Sequence, residues 1–220
     1  MQNICRILEL GTISYDRGVT IQNEIANQVK EGRFPGAILL LQHTPVFTIG
    51  RAGGRENILI SHERLREKNI ELYETNRGGN VTYHGPGQIV GYPILNLKYW
   101  GKDVRLYMYN LEEVIIKTLK RLGVESGRKS QYRGVWVGDR KIAAVGVNVK
   151  NWITMHGFSF QITKESSENF GFINPCGITE FGVVSLEEFI PGIKAEDVIP
   201  VLKKEFSEVF FCILKPEEYL

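Results

Sequence analysis

Short apolar runs rich in β-branched and aromatic residues recur at 37–42, 46–49, 89–97, 134–137, 142–149 and 152–162, most of them bounded by Gly, Pro or Asn. Runs of that length and chemistry predict strands. Between and beyond them, residues 16–30, 105–122 and 195–211 return apolar side chains at intervals of three and four, the spacing of one helical face. The interleaving predicts a mixed α/β chain. In the second helix Leu111, Ile115, Ile116 and Leu119 share the core face, which leaves Glu112, Lys117 and Lys120 toward water. The segment from Val135 to Val145 predicts a hairpin turning at Gly138-Asp139, with Lys141 at the start of the returning strand.

A chain of 220 residues with 43% hydrophobic and 24% charged residues has the balance of a folded globule. No repeat, low-complexity tract or long Ser/Pro linker divides it, so a single domain spanning 1–220 is expected. The 27 basic and 25 acidic residues are dispersed and leave a formal charge of +2. No like-charged run tracks a nucleic-acid backbone, so nucleic acid is not an expected partner. The first ten residues include an Arg and a Glu and lack the apolar core of a secretory signal, and no stretch is long enough for a membrane span. Cys5, Cys176 and Cys212 are odd in number and far apart, which argues against a disulfide framework or a metal knuckle and fits a reducing cytoplasm. The carboxyl end predicts a closing helix and a short tail.

The segments that carry chemistry begin with Arg77-Gly78-Gly79-Asn80-Val81-Thr82-Tyr83-His84-Gly85-Pro86-Gly87-Gln88. Its glycines let backbone N–H groups approach a ligand and make a concave donor surface, so it reads either as a pocket wall or as an irregular surface loop. Next, Lys141-Ile142-Ala143-Ala144-Val145-Gly146 sets one cation before small residues that leave space along a strand. An acyl chain lying there with Lys141 at its reacting end is one reading; a solvated lysine is the other. His156, in Thr154-Met155-His156-Gly157-Phe158-Ser159, is equally a site residue or a satisfied histidine beside a turn. In Asn174-Pro175-Cys176-Gly177, the proline holds Asn174 extended and the glycine permits a turn after the thiol. That places Cys176 on a bend where backbone N–H groups can face a substrate oxygen, against the alternative of an inert buried thiol, the role that suits Cys5 and Cys212.

In this order, the segments resemble the lipoyl(octanoyl) transferase family. The resemblance rests on Gln42 through Arg51, Arg77-Gly78-Gly79, Thr82 through Gln88, Gly91-Tyr92-Pro93, Lys141 through Gly146, Thr154, His156-Gly157-Phe158 and Pro175-Cys176-Gly177. It spans roughly 39–190, within a family-like catalytic region of about 30–215. It implies the fold of biotin and lipoate protein ligase catalytic domains, a largely antiparallel sheet flanked by helices. It also implies transfer of an octanoyl group from acyl carrier protein, through a thioester on Cys176, to a lysine of lipoate-dependent carrier domains, in lipoate biosynthesis. The acceptors would be the lipoyl domains of 2-oxoacid dehydrogenases and the glycine cleavage H protein. Lys141 would lower the thiol pKa and move the proton of the acceptor amine. Arg77, Gly78, Gly79, Asn80, Val81, Thr82, Tyr83, His84, Ala144, Val145, Gly146, Gly157, Phe158 and Ser159 would line the acyl and thioester site, with His156 as an accessory residue. For His84 three roles stand open: orienting the thioester carbonyl, binding the acceptor, or bracing the glycine loop. No cofactor, metal or ATP is implied, ping-pong kinetics are expected, and a monomer is the default. Ser159-Phe160-Gln161 departs from the Ala-Leu-Asn common in the family.

The nearest rival is a lipoate or biotin protein ligase, which activates a free acid with ATP. Its loop typically has His-Asp-x-Gly-Asn where this chain has His84-Gly85-Pro86-Gly87-Gln88, and it does not depend on a Pro-Cys-Gly thiol. A cysteine hydrolase pairing Cys176 with His84 or His156, and a non-enzymatic acyl-binding module, are the other classes that remain.

Overall fold

The structure, a computed structural model, describes residues 2–174 and 182–217. Within them run, in order, β1 (Asn3–Ile13), α1 (Tyr15–Lys30), β2 (Gly36–His43), β3 (Val46–Ile49), α2 (His62–Glu67), β4 (Glu71–Glu74), β5 (Val81–His84), β6 (Gln88–Leu95), α3 (Val104–Arg121), β7 (Val135–Val137), β8 (Arg140–Lys150), β9 (Ile153–Gln161), α4 (Glu165–Glu168), α5 (Ala195–Val209) and β10 (Cys212–Pro216). The main sheet has seven strands in the order β10-β1-β2-β6-β9-β8-β7. β1 is parallel to both of its neighbours, and every pairing from β2 onward is antiparallel. This is the mixed, largely antiparallel sheet expected. A small sheet, β4-β3-β5, stands beside it.

Strand alternation sends successive side chains to opposite faces. In β2, Ala37, Leu39 and Leu41 join Ile21, Ile25 and Val29 of α1 in one core, whereas Ile38 and Leu40 join the core formed by Ile115 and Leu119 of α3 with Leu202 and Phe206 of α5. The sheet is therefore covered on both faces, which is why β2 is apolar almost throughout. Helix ends are secured by side-chain caps, each worth about 1 kcal/mol. Ser14 accepts from the N–H of Arg17 at the start of α1, and Asp103 accepts from the N–H groups of Arg105 and Leu106 at the start of α3.

The predicted hairpin is present. Trp136 pairs with Lys141 and Val137 with Arg140, and Gly138 turns at φ +57. Three features differ from the sequence expectation. Residues 3–13, a mixed stretch by composition, form β1, with Cys5, Ile7 and Leu8 buried between sheet neighbours. The expected tail contains a strand, β10, which pairs with β1 in the register Asn3↔Cys212. Glu112 does not face water as its helical position suggested: it is 2% exposed. Its carboxylate accepts from the N–H of Gly134 at 2.9 Å and from Nε of Arg128 at 3.1 Å, so a buried charge is compensated and ties α3 to residues 128–134. Among the described residues, no helix is long and apolar enough to cross a membrane.

Glu112→Leu removes the acceptor for two donors without relieving their burial. Breaking a buried pair costs about 3–5 kcal/mol, and the 26% exposure of Arg128 sets this one at the low end. Urea unfolding of the variant is expected to show a loss of about 3 kcal/mol, whereas Glu112→Gln, which keeps an acceptor for Gly134, loses less.

Candidate active site

The antiparallel β8–β9 ladder forms one wall of a cavity of about 360 Å³. Ala144 faces Ser159 across that ladder and Gly146 faces Gly157, so no side chain larger than a hydroxymethyl stands at these four positions. The glycine-rich segment supplies the opposite wall. Gly78 donates its N–H to the carbonyl of Val147 at 2.9 Å. A Cβ on Gly146 would lie 2.9 Å from the carbonyl oxygen of Gly78, so this close approach of backbones requires glycine. Gly79 turns at φ +85, and the chain then enters β5.

Arg77, Gly78, Gly79, Asn80, Val81, Thr82, His84, Ala144, Val145, Gly146, Gly157, Phe158 and Ser159 all line this cavity, together with Lys141 and His156. Tyr83 does not. It points to the other side of β5, packs against Phe47 and Phe170, and accepts from Nδ2 of Asn169 at 3.0 Å. Pro175, Cys176 and Gly177 lie outside the described residues. The chain on either side of them is held: the N–H of Asn174 donates to the carbonyl of Asn57 at 2.8 Å, and Gly182 accepts from the N–H of Lys141 at 2.9 Å. Phe170, Gly182 and Val183 line the cavity.

Other cavity residues escaped the sequence. Tyr92 was visible only as the centre of Gly91-Tyr92-Pro93, and Trp136 only as a strand residue. Gln131, Tyr132 and Arg133 belong to a stretch without helix or strand, and no periodicity marks it.

The polar groups of the site are organised by burial. The guanidinium of Arg77, 7% exposed, donates to the carbonyl oxygen and the hydroxyl of Thr48 at 2.6–3.1 Å and to the carbonyl of Gly78 at 3.0 Å. Gln88 donates through Nε2 to the carbonyl of Tyr83, which leaves its Oε1 to accept from Nδ1–H of His84 at 3.0 Å. The lone pair of His84 is then on Nε2. By the same logic His43 donates from Nδ1 to the carbonyl of Ile13 and accepts the hydroxyl of Tyr92 at Nε2. His156, at φ +58, donates its backbone N–H to Oε1 of Gln22 and its Nε2–H to Oδ1 of Asn76. Burial lowers the pKa of His43 to about 4. Burial, reinforced by the charge of Arg77, lowers that of His156 to about 4. Burial, followed by the proximity of His43, holds His84 well below its ordinary value. All three rings are neutral at pH 7. Among the described residues no group of three or more His, Cys, Asp or Glu is placed to hold a metal ion.

A histidine buried neutral binds its proton less readily folded than unfolded, so its contribution to stability is complete above the unfolded value of about 6.5 and is lost as pH falls toward the folded value. For His43 and His156 the window runs from about 6.5 down to about 4. The unfolding free energy is expected to fall on acidification across that window with a slope near 1.4 kcal/mol per pH unit for each such histidine, and the melting temperature falls with it. His43→Asn should flatten the pH dependence, as measured by calorimetry from pH 7.5 to 4.5.

The Lipoyl protein ligase A/B catalytic domain family matches residues 14–207. Over 206 residues the chain is 50% identical to a Clostridium kluyveri protein named octanoyltransferase, a match covering 94% of this chain and 88% of the relative. In three dimensions it is similar to a bi-partite lipoate protein ligase of Thermoplasma acidophilum, with a TM-score of 0.72 at 15% identity over 100% of this chain and 88% of the other. It is also similar to a biotin protein ligase of Aquifex aeolicus in complex with biotin and ATP, with a TM-score of 0.56 at 14% identity over 94% and 70%. These two likenesses establish a shared fold. From the sequence matches, this chain belongs to the Lipoyl protein ligase A/B catalytic domain family.

Proposed function

We propose that this chain is a single-domain acyltransferase, spanning 1–220, that moves an octanoyl group from acyl carrier protein through a thioester on Cys176 to a lysine of lipoyl-type carrier domains. The acceptors are the lipoyl domains of 2-oxoacid dehydrogenases and the glycine cleavage H protein, and the enzyme works as a cytoplasmic monomer. The observation that carries this is the cavity itself: about 360 Å³ beside a wall of small residues, with Lys141 on its lining and with Gly182, hydrogen-bonded to Lys141, six residues from Cys176. The name of the 50%-identical relative supports the octanoyl group as cargo.

In the first half-reaction the thiolate of Cys176 attacks the donor's thioester carbonyl, forming a new C–S bond. The carrier's C–S bond breaks, and its sulfur departs as a thiol with the proton of the Lys141 ammonium, which leaves Lys141 neutral. A free thiol has a pKa of about 8.5 and is only a few per cent ionised at neutral pH. The ammonium of Lys141 favours the anion, and each unit of depression is worth about 1.4 kcal/mol. In the second half-reaction the acceptor amine attacks the acyl-enzyme carbonyl, a C–N bond forms, the C–S bond breaks, and neutral Lys141 takes the amine proton. The lone pair of His84 Nε2 suits it to receive an N–H of the incoming amine, and this favours acceptor binding among the roles open to that residue. Thioester exchange is close to neutral and aminolysis is downhill, so neither step requires ATP. The two halves share Cys176 and give ping-pong kinetics.

Intact-mass spectrometry after mixing the protein with octanoyl-loaded acyl carrier protein and no ATP is expected to show one octanoyl adduct, removed by hydroxylamine and absent in Cys176→Ala. An adduct that appears only with free octanoate and ATP would reject the transferase in favour of a ligase. Faster release of the acyl group to water than to an acceptor domain would indicate a hydrolase. Lys141→Met is expected to slow adduct formation about 100-fold or more, in line with loss of a positioned acid–base group; rapid-quench acylation measures it.

A further inference from the structure

We propose that Trp136 is a positioning residue for Lys141, its indole face fixing where the lysine ammonium stands in the cavity. The inference rests on the catalytic role proposed for Lys141 and adds the device that places its charge.

Trp136 and Lys141 are direct partners across the β7–β8 hairpin, so their side chains leave the sheet on the same face. Nζ of Lys141 lies 4.8 Å from the centroid of the Trp136 ring, within the distance at which the ring quadrupole attracts a cation. The indole is itself held. Its residue exchanges two backbone hydrogen bonds of 2.9 Å with Gly127, Nε1 donates to the carbonyl of Tyr132 at 3.3 Å, and the side chain is 4% exposed. Residues 128–134 on its flank are anchored in turn by Glu112, through Arg128 and the N–H of Gly134.

Gly134 completes the arrangement. It adopts φ +116, and a Cβ there would lie 3.4 Å from both Cδ and Cε of Lys141 and 2.4 Å from the carbonyl oxygen of Ala143. The carbonyl of Ala143 thus requires a bare backbone at 134, the lysine stem passes alongside it, and the indole two residues later receives the ammonium. A four-carbon stem samples many rotamers, and the contact with the ring favours those that bring the ammonium onto its face. Lys129 also brings its ammonium to 4.9 Å from the same ring centroid while pairing with Asp139 at 2.5 Å. The indole therefore contacts two lysines, one tied to an acidic residue at the hairpin turn and the other on the cavity lining.

The test combines kinetics with a structural signature. With octanoyl-loaded acyl carrier protein as donor, Trp136→Leu is expected to slow single-turnover acylation of Cys176 roughly threefold to thirtyfold, the rate equivalent of a partly desolvated cation–π contact. The half-saturating donor concentration should stay within about twofold. Trp136→Phe, which keeps a ring face, should lose less. In the wild-type protein the ε-methylene protons of Lys141, assigned by their disappearance in Lys141→Met, should resonate upfield of ordinary lysine through the indole ring current. That measurement needs no activity and holds even if Trp136→Leu folds poorly. An ordinary ε-methylene shift, unchanged acylation in Trp136→Leu, or equal losses in the Phe and Leu variants would overturn the role of Trp136. Unimpaired acylation in Lys141→Met would instead overturn the role of Lys141 itself, and a slow Lys141→Met beside a normal Trp136→Leu would reject the indole alone.

Discussion

The hydrogen bond from Gly78 to Val147 joins the glycine-rich segment of the small sheet to β8 of the large one, and the cavity exists because of that junction. Two backbones can meet there because Gly146 carries no Cβ, which would lie 2.9 Å from the carbonyl oxygen of Gly78. The approach is close enough to exclude bulk water from the seam while leaving the small-residue positions of β8 and β9 unfilled beside it. Arg77 then directs its charge inward onto Thr48 and Gly78. A charge so placed favours neutral imidazoles at His84 and His156, which lie within its field.

The lining that results combines apolar Val81, Val145 and Phe158 with the buried polar side chains of Arg77, His84 and His156. His43, Tyr92, His84 and Gln88 are linked through defined donors and acceptors, so each ring has one tautomer and little reason to reorient. A lining of neutral acceptors suits a substrate that carries no charge along its chain and reacts at one end. Among the described residues three cations line the cavity: Arg77, whose field reaches His84 and His156, and Lys141 and Arg133 in the stretch around Trp136.

Much of this was legible in residue order. The apolar runs at 37–42 and 46–49 became β2 and β3 nearly residue for residue, because buried strands are written as short β-branched stretches. The ordered glycine, lysine and histidine motifs converge on one cavity because glycine and small residues are required wherever backbones crowd a ligand. Other features were hidden. β1 interleaves buried Cys5, Ile7 and Leu8 with polar residues and has no compositional mark. Glu112 is polar by type yet buried, since its partners Arg128 and Gly134 lie 16 and 22 residues away and helical periodicity cannot see them. Tyr83 fell within a motif that faces the site, but strand alternation turns it into the packing of Phe47. Trp136 carried no catalytic chemistry of its own, and its relation to Lys141 appears only once the hairpin register is known.

The placement of β1 between β2 and β10 has a consequence for how the chain acquires its shape. Asn3 is paired with Cys212, so one rim of the large sheet is finished by contacts between residues more than two hundred positions apart. Closing so long a loop is entropically costly and comes late. During synthesis the outer edge of β1 has no strand beside it until residues 212–216 have left the ribosome, and over that interval a row of unpaired amides and carbonyls is open to any neighbouring nascent chain.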